Sequence, residues 1–155
     1  MDDAGSQPTQ EQLAMLFTFR RAVLAFLKWS EHRLRRIGLT PQQYLLLLAV
    51  RVAPEPPRVG MLADELLIAG NSALELVGRA EVLGLVHRER DPADQRAVRV
   101  SLTEQGEALI GELAADHLAE LERAALALGI TEEFLGALAA AYLPASSETG
   151  QENSS

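Results

Sequence analysis

The sequence predicts a mainly α fold with one small β-hairpin, in which a helix-turn-helix and the hairpin are framed by long helices at both ends. Three observations carry this expectation. Between Met61 and Leu102 the apolar period is helical, breaks at a glycine-containing turn, resumes, and then drops to two. The flanking segments, residues 9–37 and 103–143, hold apolar residues at helical spacing along most of their length. Alanine and leucine abound while there are only four Phe, two Tyr and one Trp, a balance that favours helix over sheet.

The elements follow in order. Residues 1–8 are short and polar and read as a flexible tail. Leu13, Leu16, Phe17, Val23, Leu24, Leu27, Leu34 and Ile37 mark a long amphipathic helix over about 9–37, ended by Gly38. Its polar face is basic, with Arg20, Arg21, Lys28, Arg33, Arg35 and Arg36. Such a face is most simply solvated, and otherwise a phosphate-contact or partner surface. Thr40-Pro41-Gln42-Gln43 combines a capping box with proline at the first helical position, a strong start signal. From Tyr44 to Val50 the chain is apolar nearly all round, as expected of a helix buried on several sides. Ala53-Pro54-Glu55-Pro56-Pro57 cannot continue it, because proline lacks the N–H and biases its predecessor to extended geometry.

Leu62, Leu66 and Leu67 then define a short helix, and Ile68 to Asn71 supply a turn. A second helix is expected to begin at an Asn71-Ser72 cap and to carry Leu74, Val77 and Leu83 as its apolar stripe until Gly84 stops it. Its first turn would offer unsatisfied N–H groups and a positive dipole end to an anion such as phosphate. Val86, Arg88 and Arg90 next alternate with Leu85, His87 and Glu89. Val98, Val100 and Leu102 alternate in the same way beyond the turn-rich Asp91-Pro92-Ala93-Asp94, which completes a hairpin. The stretch Ser101 to Thr103 caps a long helix with Leu109, Leu113, Leu118, Leu121 and Leu128, expected to end at Gly129. Thr131-Glu132-Glu133 caps a last helix with Phe134, Leu135, Leu138 and Tyr142, and residues 144–155 form a polar tail.

With 155 residues the chain suits one protomer fold. The absence of cysteine excludes disulfides, a thiol switch within the chain and cysteine zinc sites. No apolar run approaches the roughly 20 residues that span a bilayer, and the start Met1-Asp2-Asp3 is unlike a signal peptide, so the expected setting is cytoplasmic, with no membrane partner. His32, His87 and His117 are scattered without metal-ligand spacing, and no cofactor fingerprint, nucleophile elbow or phosphate loop is present, which argues against a metal, a cofactor and catalysis. The net charge of −8 is uneven. Residues 103–155 hold ten acids against one arginine, whereas residues 58–102 hold seven against six, so the acidity lies mostly away from the helix-turn-helix.

The run Gly84-Leu85-Val86, Asp91-Pro92, Asp94-x-Arg96-Ala97-Val98 and Ser101-Leu102-Thr103-x-x-Gly106 resembles the winged helix-turn-helix regulators of the multiple antibiotic resistance (MarR) family. The close match covers roughly residues 39–109, and the other helices agree in arrangement. The resemblance implies a single protomer with a winged-helix DNA-binding core over 39–102 and dimerisation helices over 9–37 and 103–143. The partners it implies are double-stranded DNA and a second copy of the chain, the two reading helices standing about 34 to 36 Å apart on a pseudo-palindromic site.

By the same resemblance Asn71, Ser72, Glu75 and Arg79 face the major groove. Ser72 and Glu75, three apart, equally fit a capping box. Glu75 departs from the basic or neutral residue of many relatives, since a carboxylate repels phosphate and gains from a base only by accepting from cytosine N4. Val82 and Leu83 depart too, and read alternatively as extra core contact. On the hairpin, Arg96 with Asp94 matches the wing motif and implies a minor-groove or phosphate contact, Asp94 holding the turn or orienting the arginine. Arg88, Arg90 and Arg99 accompany them, with cross-strand pairing to neighbouring acids the competing role for Arg88 and Arg99. The family's small aromatic or anionic effectors would be met by Arg20, Trp29, His32 and Tyr44. Trp29 otherwise reads as a packing residue and His32 as an ordinary surface or core histidine. The expected function is therefore a homodimeric DNA-binding regulator, a repressor released by a small ligand. The alternative is a winged-helix protein with weak or lost DNA binding that acts through protein contacts.

Overall fold

The computed structural model describes residues 7–128 and 130–143. In order these form α1 (Gln10–Arg35), α2 (Pro41–Val52), α3 (Val59–Glu65), α4 (Gly70–Val82), β1 (Val86–Arg90), β2 (Val98–Leu102), α5 (Glu104–Leu128) and α6 (Glu132–Tyr142). The expected helix end at Gly129 and the terminal stretches 1–6 and 144–155 lie outside the described residues, as does the side chain of Leu128. Among the described residues no helix is long and apolar enough to cross a membrane. The chain divides into two compact units, Met1–Leu45 and Leu46–Ser155.

In the first unit a reciprocal capping box starts α1: the Gln12 amide donates to Thr9 Oγ1 at 3.2 Å and the Thr9 amide to Gln12 Oε1 at 2.8 Å. The helix closes at Arg35, so Ile37 falls in the following turn and is exposed. Leu34 is fully buried, whereas Leu13, Leu16, Phe17, Val23, Leu24 and Leu27 form the expected stripe and leave it uncovered. The predicted box at Thr40 is present, with the Gln43 amide donating to Thr40 Oγ1 at 3.1 Å and the Thr40 amide to Gln43 Oε1 at 2.9 Å.

The second unit holds most of the core. Leu46, Leu47 and Val50 of α2 are buried, as are Val59, Leu62 and Ala63 of α3. α3 ends one residue before Leu66, and Leu67 lies outside it, two-thirds exposed with φ +55°. The Ile68 amide reaches back to the Ala63 carbonyl at 3.0 Å and that of Leu67 to Asp64 at 3.1 Å, a Schellman closure with leucine in the position glycine favours.

α4 departs from its predicted start. Its N-cap is Ala69, with extended backbone and no side-chain cap, so Ser72 is the third helical residue and neither the Asn71-Ser72 cap nor the Ser72–Glu75 box forms. The buried face also differs. Ala73, Leu76, Val77 and Ala80 are buried, while Leu74 is exposed at 45% and the expected core contacts Val82 and Leu83 at 88% and 44%. Small residues on that face allow neighbouring elements to come close. Gly84, at φ +73°, closes α4 by letting the Leu85 amide return to the Ala80 carbonyl at 3.1 Å.

The hairpin pairs antiparallel in the register Val86↔Leu102, Arg88↔Val100, Arg90↔Val98. Val86 and Val100 are its buried residues. The proline loop adds an edge contact that the sequence did not suggest, with Arg58 bridging Arg99 and the Val100 amide donating to the Pro57 carbonyl at 3.0 Å. Thr103 ties the next helix to this base: its hydroxyl donates to the Gly84 carbonyl at 2.6 Å and accepts from the Gly106 amide at 3.0 Å. α6 starts as predicted, the Phe134 amide donating to Thr131 Oγ1 at 3.2 Å.

Candidate nucleic-acid interface

The side of α4 opposite Ala73, Leu76, Val77 and Ala80 faces solvent, because residues three and four apart recur on one side of a helix. Asn71, Ser72, Glu75, Arg79 and Val82 are all exposed along it. Glu75 Oε2 and Arg79 Nη1 stand 3.8 Å apart, both well exposed, so this is a loose pair of little energetic worth that nevertheless gives the stripe no net charge. Beside it, an open groove is lined by Arg58, Met61, Asn71, Leu74, Arg96 and Val98. The groove brings the start of α4 and the hairpin turn, 25 residues apart in sequence between Asn71 and Arg96, to one surface.

The hairpin turn is built around Asp91, which is 1% exposed. Its Oδ1 accepts the Ala93 amide at 2.9 Å, and its Oδ2 accepts Arg58 Nε at 2.7 Å and Arg99 Nε at 3.0 Å. The Ala93 amide first, and then the two guanidiniums, hold the Asp91 carboxyl below the usual carboxylate range against the opposing effect of burial. The backbone closes around it: Asp91 donates to the Ala97 carbonyl at 3.0 Å and Ala97 to Asp94 at 2.9 Å. Asp94 Oδ1 accepts the Arg96 amide at 3.0 Å, so Asp94 holds the turn.

Three of the four hairpin arginines are committed within the protein. Arg99 joins Asp91 and also donates to the Pro56 carbonyl at 2.9 Å, with Glu55 at 3.6 Å. Glu89 stands opposite it in register, while the acid it bonds is Asp91, immediately after β1. Arg88 reaches α4 instead of the opposite strand, placing Nη2 2.7 Å and Nε 2.9 Å from Glu81 Oε2. This hydrogen bonding holds the Glu81 carboxyl below its ordinary value. Arg90 Nη1 donates to the Gln95 carbonyl at 3.2 Å. The Arg96 guanidinium is exposed and forms no ion pair among the described residues.

Arg58, Glu81 and Asp91 were not singled out from the sequence as parts of this surface. Asp91 was legible as a turn residue, but its partner Arg58 lies 33 positions away, beyond any local pattern. The four residues considered for a small effector sit on α1 and α2. Arg20 and His32 are twelve positions apart on α1, about 18 Å of helix rise, and Trp29 is nine positions from Arg20 and so on the opposite face. Trp29 stacks on Phe26 with centroids 6.0 Å apart and lies under the Arg33 guanidinium at 5.9 Å. Arg20 lies instead among Phe17, Val23, Leu24 and Leu27. Tyr44 is buried, which pushes its phenol above the ordinary value.

Residues 37–97 match the model of the MarR family. The HTH-type transcriptional regulator MhqR of Bacillus subtilis (strain 168) is 25% identical over 114 residues, covering 74% of this chain and 78% of its own. The crystal structure of AbsC, a MarR family transcriptional regulator from Streptomyces coelicolor, superposes with a TM-score of 0.72 at 24% identity, over 88% of this chain and 92% of that one. Sco3205, a MarR family transcriptional regulator from the same organism determined in complex with DNA, gives 0.71 at 24% identity, over 90% of this chain and 88% of its own.

Proposed function

We propose that the chain is a MarR-family transcriptional regulator that binds a pseudo-palindromic operator as a homodimer and acts as a repressor released by a small ligand. The observation that carries the DNA reading is the pairing of an exposed α4 stripe with a hairpin whose one arginine without an ion-pair or carbonyl partner among the described residues is Arg96. Arg88, Arg90 and Arg99 stiffen the wing, and Arg96 is left to enter a minor groove or meet phosphate. Asn71, Ser72, Glu75 and Arg79 lie on the helix that would enter the major groove. The DNA-bound relative supports this use of the fold.

The uncovered apolar stripes of α1 and α6 support a second copy as partner. An aromatic or anionic effector would find Trp29 and His32 near the C-terminal end of α1 and Arg20 near its middle, with Tyr44 on α2. A second reading, action through protein contacts with weak DNA binding, is favoured by Val82, 88% exposed at the end of α4, and by the Glu75 carboxylate.

The test is the salt dependence of affinity for duplex DNA. Binding should weaken with salt at a log-log slope of about −0.9 per neutralised phosphate, and Arg96→Ala should make the slope shallower by about one contact. An unchanged slope would remove the wing from the interface, and no measurable binding at low salt would favour protein contacts.

A further inference from the structure

We infer that Glu75 and Arg79 act together as the specificity element of α4, fixing a C·G base pair in each half-site through Glu75 on cytosine N4 and Arg79 on a guanine. This inference rests on the DNA-binding reading above. Glu75 and Arg79 lie one turn apart on the exposed stripe, 3.8 Å between their charged atoms, and no core contact or cap requires either of them. The capping role that would have explained Glu75 is excluded by the helix start at Ala69, which makes Ser72 a helical residue.

The major groove offers few partners to a carboxylate. Phosphates repel it, as do the N7 and O6 acceptors of guanine and the N7 of adenine. Cytosine N4 is the donor standing without an adjacent acceptor on its own base, and in the same pair guanine presents O6 and N7 to a guanidinium. The two side chains start about 6 Å apart along the helix and successive base pairs are about 3.4 Å apart, so both fall within reach of one pair or two neighbouring pairs. In the free protein the two opposite charges stand side by side on the exposed stripe and cancel. On DNA each exchanges the other for a base edge of complementary character. A sequence lacking the C·G pair leaves the carboxylate facing acceptors, so the device discriminates by repulsion as well as attraction.

Fragments bound by the full-length protein would be selected from a random-sequence duplex library, in parallel for wild type, Glu75→Gln and Glu75→Ala. The wild-type motif should hold a fixed C·G pair in each half-site, with roughly 5- to 100-fold weaker binding when that pair is exchanged. Glu75→Gln, able to bridge adenine N6 and N7, should turn the position toward A·T. Glu75→Ala should leave it unfixed and raise affinity for non-cognate DNA, because Arg79 is released to phosphate and the salt slope steepens by about 0.9. A two-fold motif identical in all three proteins overturns the inference while leaving operator binding intact. A motif recovered by Glu75→Ala and not by wild type overturns it by showing the carboxylate to be a repellent alone. Recovery of no motif by any of the three overturns both this inference and the DNA-binding reading.

Discussion

A Cβ on Gly106 would stand 2.0 Å from the Leu85 carbonyl oxygen and 3.4 Å from Leu102 Cδ2, so α5 can approach the end of α4 only because that atom is missing. Gly106→Ala should therefore lower stability by about 1–3 kcal/mol through forced displacement of backbone, read by urea denaturation; a variant as stable as wild type would show that α5 can shift freely. Leu67 poses the opposite case, a left-handed residue that is not glycine and that packs little, being two-thirds exposed. The left-handed conformation costs about 1–2 kcal/mol and glycine returns about 0.5–1 of that in backbone entropy, so Leu67→Gly should stabilise by about 0.5 kcal/mol. Thermal unfolding of the two proteins decides it, and a lower Tm for the variant would mean that Leu67 contributes contacts outweighing its strain. The Leu102-Thr103-x-x-Gly106 pattern was legible as part of a family-like run, yet its job, seating α5 on the Gly84-Leu85 turn, was not. Close approach between residues some twenty positions apart leaves no periodic trace in sequence.

Elements with a continuous apolar period were legible: α2 and the hairpin lie where period and turn residues placed them, and α1 stops two residues short of the expected Ile37. α4 was found but misregistered. Ala69 caps it by backbone geometry alone, and its buried face uses Ala73 and Ala80 where larger leucines nearby suggested another stripe. The bracing of the hairpin turn was the least legible feature, because it depends on Arg58, Arg99 and the Ala93 amide converging on one carboxylate. The folded-state pKa of Asp91 lies below its unfolded value of about 3.9, so its stabilising contribution is present above that value and is lost as pH falls through the folded pKa. Asp91→Asn should thus be less stable than wild type near neutrality, with the difference in Tm closing as the pH is lowered below about 4. A constant difference across that range would mean that the charge of Asp91 is not what holds the turn. Because the same carboxylate shapes the Arg96 loop, Asp91→Asn should also weaken DNA binding at neutral pH while leaving the far-ultraviolet circular dichroism unchanged.

At the scale of the whole molecule, net charge misleads and uncovered apolar surface informs. The value of −8 averages a C-terminal third rich in acids with a region near neutrality, so it says little about the face that carries α4. The exposed stripes say more. Leu16 and Leu24 of α1 are each 53% exposed, and Phe134 and Tyr142 of α6 are 43% and 79% exposed, so each helix leaves large apolar side chains uncovered. If a second copy covers α1, the double variant Leu16→Asp, Leu24→Asp should sediment as a monomer while keeping its helical circular dichroism, since neither side chain belongs to the buried core. Operator affinity should fall with it. In a dimer the second half-site is engaged at an effective concentration set by the first, a gain of roughly 10²- to 10⁴-fold that a monomer forfeits even with every contact of α4 and Arg96 intact. A variant that stays dimeric would locate the interface away from this face of α1. One that is monomeric yet binds the full palindrome as tightly as wild type would show that each protomer reads its half-site independently, and that the two-fold arrangement contributes nothing to recognition.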